Sequence, residues 1–151
     1  MKTRYFALIV GIVYTLVGIA GFISGLGDER TSPSLHVESH YRDLFGLFPV
    51  NILHNFVHLA IGVLGILAYQ SFRSARLYSQ ALAVVYGLLA VMGLIGTGDL
   101  KTTFDLIPIF GNDVWLHAGT ALIAAYFGFG PVPAEGTTTA PAGGSGAQRA
   151  Y

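Results

Sequence analysis

Four long apolar runs govern what this chain can become. Residues 5–26, 51–70, 80–98 and 113–130 contain no Asp, Glu, Lys or Arg apart from Asp113 at the edge of the last run. A helix rises about 1.5 Å per residue, so roughly 20 apolar residues cross the roughly 30 Å hydrocarbon layer of a bilayer. Each run is of that order, the last somewhat short. Backbone groups in lipid must pair within the protein, and the runs lack the polar alternation of barrel strands, which leaves helices. The expected fold is an all-α four-helix transmembrane bundle made of two hairpins, formed by residues 1–130. The 53% hydrophobic and 11% charged content and the mean hydropathy of +0.61 agree with that class.

Charge placement orients the bundle. With the N-terminus in the cytoplasm, the inner side carries Lys2, Arg4, Arg73, Arg76 and Arg149 against Glu135 alone. The outer side then carries Arg30, Arg42 and Lys101 against Asp28, Glu29, Glu38, Asp43, Asp99, Asp105 and Asp113. The basic excess predicts both termini inside. A zero net charge therefore conceals a dipolar molecule. No basic tract suggests nucleic acid. Lys2 and Arg4 ahead of an apolar run, with Ser24, Gly25 and Gly27 behind it, also fit a secretory signal; the run exceeds the usual length of a signal core, about 7–15 residues. Absence of cysteine excludes disulfides, thiolate metal sites, covalent haem attachment and cysteine nucleophiles.

The first hairpin contains a polar outer loop of about 24 residues, long enough for a role of its own, and the second a loop about half as long. Residues 71–79 read as a short arginine-bearing turn between hairpins. Residues 131–151, PVPAEGTTTAPAGGSGAQRAY, have almost nothing apolar to bury and are expected to be disordered. The two hairpins also form a weak repeat. Tyr14, Gly18, Gly21 and Gly25 match Tyr86, Ala90, Gly93 and Thr97 at identical spacing, and Pro49 precedes His58 as Pro108 precedes His117. Such a repeat is a parallel duplication about an axis along the membrane normal, with His58 and His117 as equivalents.

Small residues supply the packing seams. Lipid gives no hydrophobic drive for helix association, so backbones must approach closely. Gly11, Gly18, Gly21, Gly25, Gly62, Gly87 and Gly93 are the candidates.

Polar residues inside an apolar span are costly and tend to be kept for a partner or ligand. The run 48–69, FPVNILHNFVHLAIGVLGILAY, places Asn51, His54, Asn55 and His58 at the outer end of the second span. His54 and His58 share a helical face. His117 enters the fourth span at a comparable depth, so three imidazoles are expected to converge. One reading is coordination: His54, His58 and His117 would bind haem b, most simply through His58 and His117, a magnesium tetrapyrrole through one histidine, or a simple metal ion. The other is a hydrogen-bonded clamp of His54, Asn51 and Asn55 at the helix start, with His58 and His117 bonded to each other or to Tyr14 and Tyr86. Asp113 and Trp115 read as the cap and interface marker of the fourth span. In the outer loop His36 and His40 repeat the four-residue spacing. With Leu35, Val37, Tyr41, Leu44 and Phe45 they suggest a short interfacial helix carrying a surface metal site or a pH-sensitive lid.

Catalytic signatures are lacking: no phosphate loop, no nucleophile elbow, and no carboxylate inside a span to relay protons or bind a coupling cation. RYFALIVGIVYTLVGIAGF at 4–22, LFPVNILHNFVHLAIGVLGI at 47–66 and NDVWLHAGTAL at 112–122 resemble the bacterial four-helix membrane family catalogued as domain of unknown function 4383. The resemblance covers about residues 4–129. It implies a small integral membrane protein and carries no catalytic residues. The expected function is a non-catalytic accessory or scaffold subunit. It packs against the lipid bilayer and a membrane-protein partner or its own copies, with the outer histidines fixing helices or ligating a tetrapyrrole. The alternatives are a haem b electron carrier and a small membrane stress or pH sensor.

Overall fold

A computed structural model describes residues 1–30, 35–96 and 102–131. Among them are four helices, α1 (Lys2–Ala20), α2 (Ile52–Ala68), α3 (Phe72–Ile95) and α4 (Asn112–Phe129). Three short strands, β1 (Gly27–Glu29), β2 (Arg42–Leu44) and β3 (Phe48–Val50), lie between α1 and α2. The chain is therefore mostly helical and not purely α. By length and composition α1 and α3 are able to cross a membrane, and α2 is a shorter apolar helix of 17 residues. The tail from 132 onward, and Thr97 of the repeat, lie outside the described residues.

Helices pair in chain order, α1 against α2 and α3 against α4, with smaller contacts between the pairs. Glycine makes the first seam. A Cβ on Gly11 would stand 2.6 Å from the Ile66 backbone nitrogen and 2.8 Å from the Gly62 carbonyl. A Cβ on Gly18 would meet the Asn55 carbonyl at 2.9 Å, and one on Gly62 would meet Thr15. Gly21 makes room for the Asn55 side chain, as Gly93 makes room for Val114. Two of the expected seam residues do not serve this purpose. Gly25 faces open space in the 3-10 turn Ser24–Leu26, because α1 already ends at Ala20. Gly87 meets only Ala121 Cβ at an ordinary 3.9 Å.

The arginine-bearing segment expected as a turn is helical. The Ser71 side chain accepts from the Ser74 backbone N–H at 3.0 Å, capping α3 eight residues ahead of the expected start. Arg76 of this segment and Arg4 of α1 then reach helix C-termini, where carbonyls lack partners. Arg76 Nε donates to the Gly128 carbonyl at 2.9 Å, joined there by Gln80 Nε2 at 3.0 Å, and Arg4 Nε donates to the Tyr69 carbonyl at 2.7 Å. The start of α1, the α2–α3 turn and the end of α4 thus meet at one basic end.

The opposite end carries a cap. Strands β1, β2 and β3 form an antiparallel sheet in that order, with Arg42 opposite Glu29 and Val50. The interfacial helix expected around 35–45 is not formed. His40 has φ 57 and breaks a right-handed helix, and the next residues pair as β2. Arg42, 2% exposed, donates from Nη1 to the Ile23 carbonyl at 3.0 Å and ties the cap to the end of α1.

Asn51 joins this cap to α2. Its side chain accepts from the His54 backbone N–H at 3.0 Å and donates to the Val37 and Leu106 carbonyls at 2.9 and 2.6 Å. Replacing Asn51 by Ala is expected to cost about 2 kcal/mol, from the lost cap and two carbonyls left without a donor. Amide exchange in both outer loops should accelerate. Protection unchanged around residues 35–41 and 106–109 would show that Asn51 does not hold them.

Polarity is distributed inside out. Asn51, His54, Asn55, His58, Ser79, Asp113 and His117 are buried, whereas large aliphatic residues on all four helices are exposed, among them Leu16, Leu64, Leu88 and Leu122.

Candidate functional site

The buried face of α2 begins His54, Asn55, His58 and continues through Gly62 and Gly65; that of α4 begins Asp113, Val114, His117. The two faces meet just beneath the cap. Asp113 Oδ2 lies 3.8 Å from His54 Nε2 and 3.8 Å from His117 Nε2, its neighbour one turn along α4. One donor atom from each of these three residues falls within 4.8 Å of the others. The His58 ring packs on His54 with centroids 4.3 Å apart, and His54 and His117 are 6.3 Å apart. None of these four residues is more than 3% exposed.

Two tyrosines enclose the cluster. Tyr14 of α1 stands edge-on to His58 at 5.1 Å, Tyr86 of α3 edge-on to His117 at 4.9 Å, and the two tyrosines edge-on to each other at 5.5 Å. The Tyr14 hydroxyl shares a 3.2 Å hydrogen bond with Thr120 Oγ1. This is a twofold pattern. The offset that carries His58 onto His117 also carries His54 onto Asp113 and Asn55 onto Val114, so the centre is built from two related pairs.

Polar atoms in the centre are poorly satisfied by the protein. Nδ1 of His54, His58 and His117 and both carboxylate oxygens of Asp113 form no hydrogen bond, and the His54 imidazole faces the Pro49 backbone without a well-formed one. Burying such groups without any partner costs several kcal/mol. Two imidazoles and one carboxylate constitute a donor set for zinc or a first-row transition metal.

A family model described as domain of unknown function (DUF4383) matches residues 4–130. The chain belongs to this family. The matched region contains all four helices, the cap and each residue of the buried centre. Comparisons with curated proteins and with solved structures give no match.

Other residues singled out from the sequence fall elsewhere in the domain. Asn55 is fully buried against Gly21, and its amide makes no hydrogen bond. His36 is surface-exposed, its Nδ1 3.9 Å from Asp105 Oδ2, and His40 stands edge-on to Phe22. With no helix between them, His36 and His40 lose the shared face that their spacing suggested. Trp115 is exposed. Asp113 is not the cap of α4: that position is Gly111, which offers no side chain, and the carboxylate turns inward to the histidines. The signal overlooked was the D-x-x-x-H spacing of Asp113 and His117, which shares a helical face as His54 and His58 do.

Proposed function

We propose that this DUF4383 protein is a multi-pass integral membrane protein, a four-helix transmembrane bundle of the bacterial inner membrane, whose buried centre binds one transition-metal ion through His54, Asp113 and His117. The observation that carries the metal reading is the convergence of two imidazoles and a carboxylate, from two helices, within 4.8 Å, with both carboxylate oxygens and the two Nδ1 atoms lacking hydrogen bonds. Metal–ligand bonds of about 2.0–2.2 Å set neighbouring ligands a little over 3 Å apart. The bilayer reading is supported by the inside-out polarity, since aliphatic exposure on every helix is untenable in water. Lys2, Arg4, Arg73 and Arg76 at the end opposite the cap favour a cytoplasmic N-terminus.

The ion acts here as an internal clamp. It ties α2 of one hairpin to α4 of the other, in keeping with a non-catalytic scaffold or accessory role. A single ion suits the centre better than a tetrapyrrole, because the Asp113 carboxylate lies between His54 and His117 and tyrosine rings abut His58 and His117.

Titrating detergent-purified, chelator-treated protein with Zn²⁺ or Co²⁺ tests the reading. One equivalent should bind, and at a free concentration 100 times the Kd it should add about 2.7 kcal/mol of stability, read as a higher unfolding midpoint. A midpoint indifferent to either ion would sink the proposal.

A further inference from the structure

The basic end of the helices holds a cavity of about 420 Å³. It opens where α1 and α3 begin and α4 ends, and its lining includes Lys2, Thr3, Phe72, Arg76, Tyr126 and Phe127. A second cavity of about 310 Å³ adjoins it, sharing Phe72 and Arg76 and adding Arg73. Cations and aromatic rings therefore line one cleft, which exposes polar and apolar wall together. No Asp or Glu occurs in residues 1–27, 44–98 or 114–134, so no carboxylate at this end of α1, α3 or α4 offsets the charges. Lys2 and Arg73 are exposed, and neither pairs with an acid among the described residues. Arg76 is held in place. Its Nε and Nη2 donate to the Gly128 and Gly130 carbonyls at 2.9 and 3.4 Å, leaving Nη1 without an acceptor among the described residues. A guanidinium already fixed loses little freedom on meeting an oxyanion.

From this we infer that the cleft binds one phosphatidylglycerol molecule by its phosphodiester headgroup. The cations select an anion, and a phosphate is the oxyanion that an arginine fork fits. The rings of Phe72, Tyr126 and Phe127 select an anion with an apolar body. Leu122 and Ile123, four and three residues before Tyr126, are exposed on the same face of α4 and extend that apolar wall away from the charged end. A free sugar phosphate gains nothing from this face, whereas acyl chains laid along it do. The phosphate sits at Arg76, and Lys2 and Arg73 add positive charge around it, as basic clusters at a membrane surface do for anionic lipid. This inference rests on the membrane reading above and is independent of the metal.

Lipid retention tests it. The full chain is placed in phosphatidylcholine nanodiscs of rising phosphatidylglycerol content, and the lipids that stay bound on release are counted by native mass spectrometry. Retained phosphatidylglycerol should saturate at one molecule per chain. Each cation near an anionic lipid contributes roughly fivefold, so three give a preference over phosphatidylcholine of about 100-fold, of which a Lys2→Gln, Arg73→Gln double variant should keep about fivefold. Its thermal midpoint in pure phosphatidylcholine should match the parent's, and Arg30→Gln at the opposite end should keep the full preference. Retention that climbs without saturating would mark a diffuse basic surface, and displacement by soluble glycerol 3-phosphate a site for free phosphate; either overturns the proposal, as does a double variant with undiminished preference. A protein that enters phosphatidylcholine discs yet shows no preference defeats this inference and leaves the membrane reading standing, whereas one that enters no disc removes both.

Discussion

Asp113→Ala and His54→Ala should each weaken Zn²⁺ or Co²⁺ binding by at least about 100-fold, since loss of even a partner one shell removed from a metal costs 10–100-fold. The expectation follows from the geometry of the three donors. Asp113 is the hub, 3.8 Å from both imidazole nitrogens, so its removal leaves His54 and His117 with no anionic ligand between them. His117→Ala should be equally severe. Metal-free Asp113→Ala should by contrast be no less stable than the metal-free parent, because deleting a buried acid without hydrogen bonds relieves a desolvation cost. A hydrogen-bonded clamp requires the opposite: destabilisation by Asp113→Ala whether or not metal is present. His36→Ala and His40→Ala should leave the affinity unchanged, and isothermal titration of the set separates these outcomes.

The second large effect is steric. Gly11→Leu should destabilise the domain by about 3 kcal/mol, the upper end of what overpacking usually costs. The added Cβ alone meets backbone atoms of Gly62, Gly65 and Ile66 at 2.6 to 2.9 Å, and backbone cannot rotate away as a side chain can. The helices must then separate, and the proposed membrane setting offers little hydrophobic drive to hold them at the longer distance. Gly119→Leu on α4 provides the control, since nothing lies within 4 Å of the corresponding position. Reversible unfolding in mixed micelles should show a large loss for the first and little change for the second. Equal effects would mean that the α1–α2 seam is not the tight contact described.

Helices and their pairing were legible in the sequence because two strong signals repeat over many residues: charge-free apolar length, and glycine at seam spacing. The nearness of Tyr14 and Tyr86 to His58 and His117 was read as hydrogen bonding, whereas the structure shows ring-edge contacts. Tyr14 and Tyr86 stand against His58 and His117 as the repeat relates them. The sheet was not, because strands of three residues carry too little alternation to register, and their pairing depends on residues brought together by the ends of α1 and α2. The start of α3 was masked by Arg73 and Arg76, which read as a cytoplasmic turn although arginine is a good helix former and Ser71 an apt cap. Asp113 was misread for a related reason. A carboxylate at the edge of an apolar run looks interfacial, and only the fold shows that the run begins beneath the cap, where the side chain faces His54 of the other hairpin.

X-ray absorption at the metal edge of the Co²⁺- or Zn²⁺-loaded protein tests the central claim most directly. The account predicts a first shell of nitrogen and oxygen at about 2.0–2.2 Å with outer-shell scattering from two imidazoles, lost in the His54→Ala, His117→Ala double variant. A spectrum with no imidazole scattering, or one that the double variant leaves unchanged, would contradict it.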